Sequence, residues 1–123
     1  PYSTSGQNGA ETIRDLVIKS LDSDKANEIE VIDLRGQTSL ADFMVVASGT
    51  STRHISALAE KLDDRLKAAG VRDIHMEGLK NSDWVVVDAG DVIIHLFRPE
   101  VRSFYGIEKM WRSLHPGIEM VTA

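Results

Sequence analysis

Two apolar runs, WVVVDA at 84–89 and VIIHLF at 92–97, are separated only by Gly90 and Asp91. A join that short admits neither a helix nor a crossover, so the runs are expected to pair as an antiparallel hairpin. Alternation along a strand then assigns faces. Trp84, Val86 and Asp88 share one face of the first strand, opposite Val85, Val87 and Ala89; on the second strand Ile93, His95 and Phe97 oppose Val92, Ile94 and Leu96.

A strand–helix unit precedes the hairpin. The run FMVVAS at 43–48 is apolar throughout, as a strand covered on both faces is. Ser48-Gly49-Thr50-Ser51 follows, and Thr50 or Ser51 is a suitable cap for a helix over 52–69 with Ile55, Leu58, Ala59, Leu62, Leu66 and Ala69 as its apolar stripe. Gly70 stops that helix, and 71–77 is expected as a short strand. A strand–helix–strand order implies a right-handed crossover and a parallel pair. Upstream, Ile13, Leu16, Val17 and Leu21 recur at helical spacing within 10–24, with Glu11 and Asp15 early and Lys19 later as the helix dipole favours. EIEVIDL at 28–34 alternates as a strand at or near an edge, with Ile29, Val31 and Asp33 on one side. After the hairpin, Pro99 opens a helix over 100–114, with Phe104, Ile107, Glu108 and Trp111 in register, and His115-Pro116-Gly117 ends it. The expected fold is α/β: a mixed sheet of about five strands flanked by three helices. The domain is expected over 10–115, between a flexible tail at 1–9 and a C-terminal tail at 116–123.

A chain of 123 residues with 42% hydrophobic residues fits one domain with a real core. Its 14 Lys and Arg against 19 Asp and Glu leave a net charge of −5, which argues against a non-specific nucleic-acid binder, since neutralising phosphates needs a basic excess. The absence of cysteine removes disulfides, thiolate chemistry and cysteine zinc sites, and fits a reducing compartment. No apolar run approaches the roughly 20 residues of a membrane span.

Catalytic constellations are weak. The Ser48-Gly49-Thr50-Ser51 turn offers backbone N–H groups to an anion, but it lacks the spacing of a phosphate loop, and helix capping accounts for it. Glu77, Asp83, Asp88 and Asp91 cluster around the hairpin, yet Asp88 has Val86 and Gly90 at the offsets where a second metal-binding acid would stand, and Asp91 suits the turn. His54, His75, His95 and His115 show no metal-ligand spacing, and His95, between Ile94 and Leu96, reads as structure or contact surface rather than as a catalyst. Trp84 with Val86 and Asp88 makes either an interface patch with an aromatic anchor or a surface packed beneath the helix that carries Trp111. Phe104-Tyr105 and Trp111 offer a second aromatic patch, with helix-to-sheet core packing the better reading. The residues favour a binding protein over an enzyme, with no cofactor.

Several separate motifs then agree on a family. Asp42-Phe43-Met44-Val45-Val46-Ala47-Ser48-Gly49-Thr50-Ser51 with His54, Glu77-Gly78, Trp84-Val85-Val86-Val87-Asp88, Gly90-Asp91-Val92-Ile93-Ile94-His95-Leu96-Phe97, and Arg102-Ser103-Phe104-Tyr105 with Glu108 and Trp111 resemble, in order and spacing over about 10–113, the ribosomal silencing factor family (RsfS, Iojap or YbeB). The family's fold resembles the nucleotidyltransferase α/β fold, in which a Gly-Ser turn precedes a helix and paired acids follow on a strand. Ser48-Gly49-Thr50 looks like that turn, but the paired acids are missing, so activity does not transfer.

The resemblance implies a cytoplasmic protein that binds the large ribosomal subunit through its fourteenth protein. It would block joining of the small subunit and so repress translation under nutrient limitation. It implies little direct nucleic-acid contact and the option of a homodimer on the same sheet face, while relatives in organelles act in ribosome assembly. An acidic domain suits a basic ribosomal protein. Carried onto this chain, the partner-binding residues are Trp84 as apolar anchor, Val86 beside it, Asp88, Glu77 and Asp91 for pairing with basic groups, His95, and Ala89, a smaller contact than the bulkier residue many relatives place at the hairpin tip.

Overall fold

The computed structural model describes residues 7–114 and 120–122, with side chains described over 9–110. The element order is α1 (Gln7–Ser23), β1 (Asn27–Asp33), β2 (Phe43–Ser48), α2 (Thr52–Ala68), β3 (His75–Glu77), β4 (Trp84–Asp88), β5 (Val92–Phe97), α3 (Pro99–Tyr105), α4 (Ile107–Leu114) and β6 (Met120–Thr122). The sheet runs β3-β4-β5-β2-β1-β6. It is mixed: β2 pairs parallel with β5, and the other neighbours pair antiparallel.

The hairpin forms as its spacing requires, with Trp84 opposite Phe97 and Asp88 opposite Ile93. The crossover does not return to a neighbouring strand. β2 takes β5 as its parallel partner, and β3 lies at the far edge beside β4. The burial explains the order. All of β2 is buried and only Ile93 of β5 is partly exposed, so both belong at the centre, whereas β3 exposes His75 and Glu77 and suits an edge.

One sheet face carries the larger core. Val31, Val45, Ala47, Val85, Val87, Ile94 and Leu96 pack there against Ile13, Val17 and Leu21 of α1 and Ile55, Leu58, Leu62 and Leu66 of α2. Helical spacing put those positions on one stripe of each helix, and burying that stripe is what holds an amphipathic helix in place. The opposite face is covered only in part: Ile32, Met44, Val46 and Phe97 meet Ile107, with Trp84, Ile93 and Val101 at the margin.

Three further expectations change. The chain helix expected over 100–114 is two helices, because Gly106 adopts a left-handed backbone (φ 55°, ψ 41°) that ends α3. The segment 116–123, expected as a tail, contains β6, which pairs with Glu30, Val31 and Ile32 and covers the edge of β1. The first helix begins at Gln7, inside the expected 1–9 tail, so Glu11 stands beyond the first turn and no acid occupies it. Residues 1–6, the His115-Pro116-Gly117 stop and the packing of the Trp111 side chain lie outside the described residues.

Candidate functional site

The turn between β2 and α2 is held by its own hydrogen bonds. Gly49 N–H donates to the Phe97 carbonyl (2.9 Å), Thr50 N–H to His54 Nδ1 (3.0 Å), and His54 N–H to Ser51 Oγ (3.1 Å). Ser51 is thus the helix cap, and the N–H groups of Gly49, Thr50 and His54 are used within the protein. Since His54 Nδ1 accepts, its Nε2–H donates to the Asp24 carbonyl (2.9 Å) and ties this turn to the end of α1. Ser48 is 1% exposed, and its Oγ accepts from Arg102 Nη1 (2.9 Å). Among the described residues no group of three or more His, Asp or Glu side chains could hold a metal, and no helix is long and apolar enough to cross a membrane.

The half-covered sheet face has a different character. Alternation places Trp84, Val86 and Asp88 of β4 and Ile93, His95 and Phe97 of β5 on it, with His75 and Glu77 of β3 in register beside Asp88 and Val86. Trp84 is half-buried. Its indole stacks on Phe97 (centroids 5.0 Å), lies 4.7 Å from the Tyr105 ring and donates its N–H to His95 Nδ1 at 3.0 Å. One side of Trp84 packs against Phe97 and α3, and the other lines an open groove of about 520 Å³ with Gly78, Asn81, Asp83, Glu100, Val101 and Phe104. Gly78 makes the approach possible. Its φ is +92°, and a Cβ there would run into the Trp84 carbonyl oxygen.

The sequence-derived residues do not all reach this surface. Val86 and Asp88 are partly exposed on it, and Glu77 is exposed at the edge strand. Asp88 Oδ1 accepts from Gly90 N–H (2.9 Å), so it also closes the hairpin turn. Asp91 anchors that turn through its backbone carbonyl, which accepts from Asp42 and Phe43. Burial, followed by the negative charge of Asp42, pushes its carboxyl up. Ala89 is a correction: its side chain points to the opposite face and is 4% exposed in the core under α1 and α2, so it offers a partner nothing. His95 is 7% exposed, and burial pushes it down to about 4, leaving a neutral ring that serves Trp84.

Other contributors were missed. Phe104 is 81% exposed and Tyr105 52%, against the expectation that both pack into the core. The break at Gly106 splits the expected stripe, leaving Phe104 in solvent while Ile107 packs against the sheet, and a glycine inside a helical pattern was the available signal. Arg102 is buried and holds the two short helices to the sheet. Its Nε donates to Glu108 Oε1 (3.0 Å) and its Nη1 to the Glu28 carbonyl (2.8 Å). Arg98 sits at the groove rim, 2.9 Å from Asp83 and 2.9 Å from Glu100. The groove thus joins aromatic surface to carboxylates, two of which are paired with Arg98.

Residues 7–122 match the family described as "Ribosomal silencing factor during starvation". A ribosomal silencing factor of Zymomonas mobilis is 57% identical over 101 residues, which cover 82% of this chain and 76% of that protein. A mouse protein named for mitochondrial assembly of the ribosomal large subunit is 36% identical, over 84% of this chain and 46% of its own length. Among solved structures, a Chromobacterium violaceum protein superposes with a TM-score of 0.80 at 43% identity, covering 83% of this chain and 85% of the other.

Proposed function

Because this chain belongs to the ribosomal silencing factor family, we propose that it binds the large ribosomal subunit through that subunit's fourteenth protein and sterically blocks the small subunit from joining. The observation that carries the reading is the Trp84 face: an aromatic anchor, half-buried, braced by Phe97 and Tyr105 and bordered by Glu77 and Asp88, with Asp83 and Glu100 paired to Arg98. Such a surface fits a partner that offers an apolar pocket within basic groups. The net charge of −5 favours approach to a basic ribosomal protein and disfavours bare ribosomal RNA. Silencing then needs no chemistry, because occupying the joining surface excludes the small subunit by volume. A second copy docking on the same face would hide it, so dimer formation and ribosome binding compete, and the site of action is the cytoplasm.

The test is co-sedimentation with purified large subunits, followed by addition of small subunits. Trp84→Ala should weaken binding by ~30-fold or more, the value of a hot spot of about 2 kcal/mol, and should restore subunit joining. Full affinity in a folded Trp84→Ala protein would overturn the reading. The name of the mouse relative favours a second one, large-subunit assembly. Preferential co-sedimentation with precursor particles over mature subunits would support assembly instead.

A further inference from the structure

We propose that His95 is a positioning residue for this face: by accepting the Trp84 indole N–H it fixes which edge of the anchor ring is presented to a partner. The inference rests on the reading of the Trp84 face as the docking surface. Register places His95 opposite Val86 and diagonal to Trp84, within reach of an aromatic side chain. Stacking on Phe97 and contact with Tyr105 set the plane of the indole. They do not distinguish the two ways the ring can lie in that plane, because both faces of an indole stack alike. The N–H does distinguish them, since it has one direction and donates only. It meets His95 Nδ1 at 3.0 Å.

The His95 ring is itself held. It lies 6.0 Å from Phe97, tilted by 10°, and is 7% exposed, which leaves little of it for direct contact. Accepting at Nδ1 requires the neutral ring to carry its proton on Nε2, so the pairing selects one tautomer. An anchor already oriented loses less freedom on docking, and so binds more tightly for the same contacts.

The test pairs two measurements on the full chain. The first is solvent exchange of the Trp84 indole N–H, identified as the indole resonance missing from Trp84→Phe. The second is affinity for purified large ribosomal subunits. His95→Phe keeps a ring in the stack and removes the acceptor; His95→Leu removes the acceptor without a ring and at smaller volume than phenylalanine, should the first fail to fold. Either is expected to speed indole exchange and to weaken binding roughly three- to ten-fold. His95→Asn, which returns an acceptor near the Nδ1 position, should rescue both. In a Trp84→Phe background, which has no indole N–H, His95→Phe should leave affinity unchanged. Equal weakening in that background overturns the proposal, because His95 then acts without Trp84. Weak binding by Trp84→Ala with full binding by His95→Phe overturns the positioning role alone. Full binding by both, with indole exchange still accelerated, overturns the docking reading and the positioning role with it.

Discussion

Arg102 and Ser48, 54 positions apart in the chain, meet at 2.9 Å, guanidinium Nη1 to hydroxyl Oγ, inside the protein. Through this bond and those to Glu28 and Glu108, one buried cation joins the two short C-terminal helices to the end of the central strands. Arg102→Ala strands Glu108 and the Glu28 carbonyl without their donor, and it should cost about 3 kcal/mol or more of unfolding free energy. Arg102→Lys should recover only part, because an ammonium lacks the planar fork that serves partners on several sides. Urea denaturation of both variants measures the difference.

Two exposed glycine-bearing turns beside the hairpin separate steric from conformational demand. Gly78 and Gly90 both have positive φ (+92° and +86°), but only Gly78 faces the Trp84 carbonyl, while Gly90 has open space. Gly90→Ala should cost about 1 kcal/mol, the conformational penalty alone. Gly78→Ala should cost more and should also disturb the Trp84 indole resonance, which Gly90→Ala should leave in place.

Aromatic residues of this face differ sharply in burial. Phe97 is fully buried, and Phe97→Ala should destabilise the fold by about 3–5 kcal/mol. Phe104 is 81% exposed, and Phe104→Ala should change stability by no more than about 0.5 kcal/mol. Thermal melts rank the two. A large loss in Phe104→Ala would mean that it packs inside the fold.

The His95 titration gives stability a pH signature. Burial lowers its pKa from 6.5 to about 4, so between those values the unfolded chain binds more protons than the folded one. Its contribution is therefore whole above pH 6.5 and declines as pH falls towards 4, with a slope approaching about 1.4 kcal/mol per pH unit. His95→Phe should flatten the profile in that window, as urea midpoints across it would record. Asp33, held low chiefly by its hydrogen bond from Arg35, adds a further loss at more acidic pH, whereas Asp91, raised by burial, opposes it.

Much of the site was legible because short-range rules fix it. Two residues between two apolar runs force a hairpin, and the period of two places Trp84, Val86 and Asp88 on one face whatever surrounds them. The same rule put Ala89 on the other face; only its assignment as a contact at the hairpin tip, carried over by resemblance, failed against its burial. Helical spacing identified the stripes of α1 and α2, since an amphipathic helix has one apolar side to bury.

The amino-acid order by itself determined the hairpin, the strand at 43–48, the apolar stripes of α1 and α2 and the family pattern, because these depend on neighbours a few positions apart. Only the tertiary structure decided that β5 rather than β3 lies beside β2, that 120–122 returns to pair with β1, and that Phe104 stays in solvent while His95 turns inward to Trp84. Those outcomes join residues far apart in the chain, and they follow from which apolar surfaces compete for the same interior, a contest that no local spacing records.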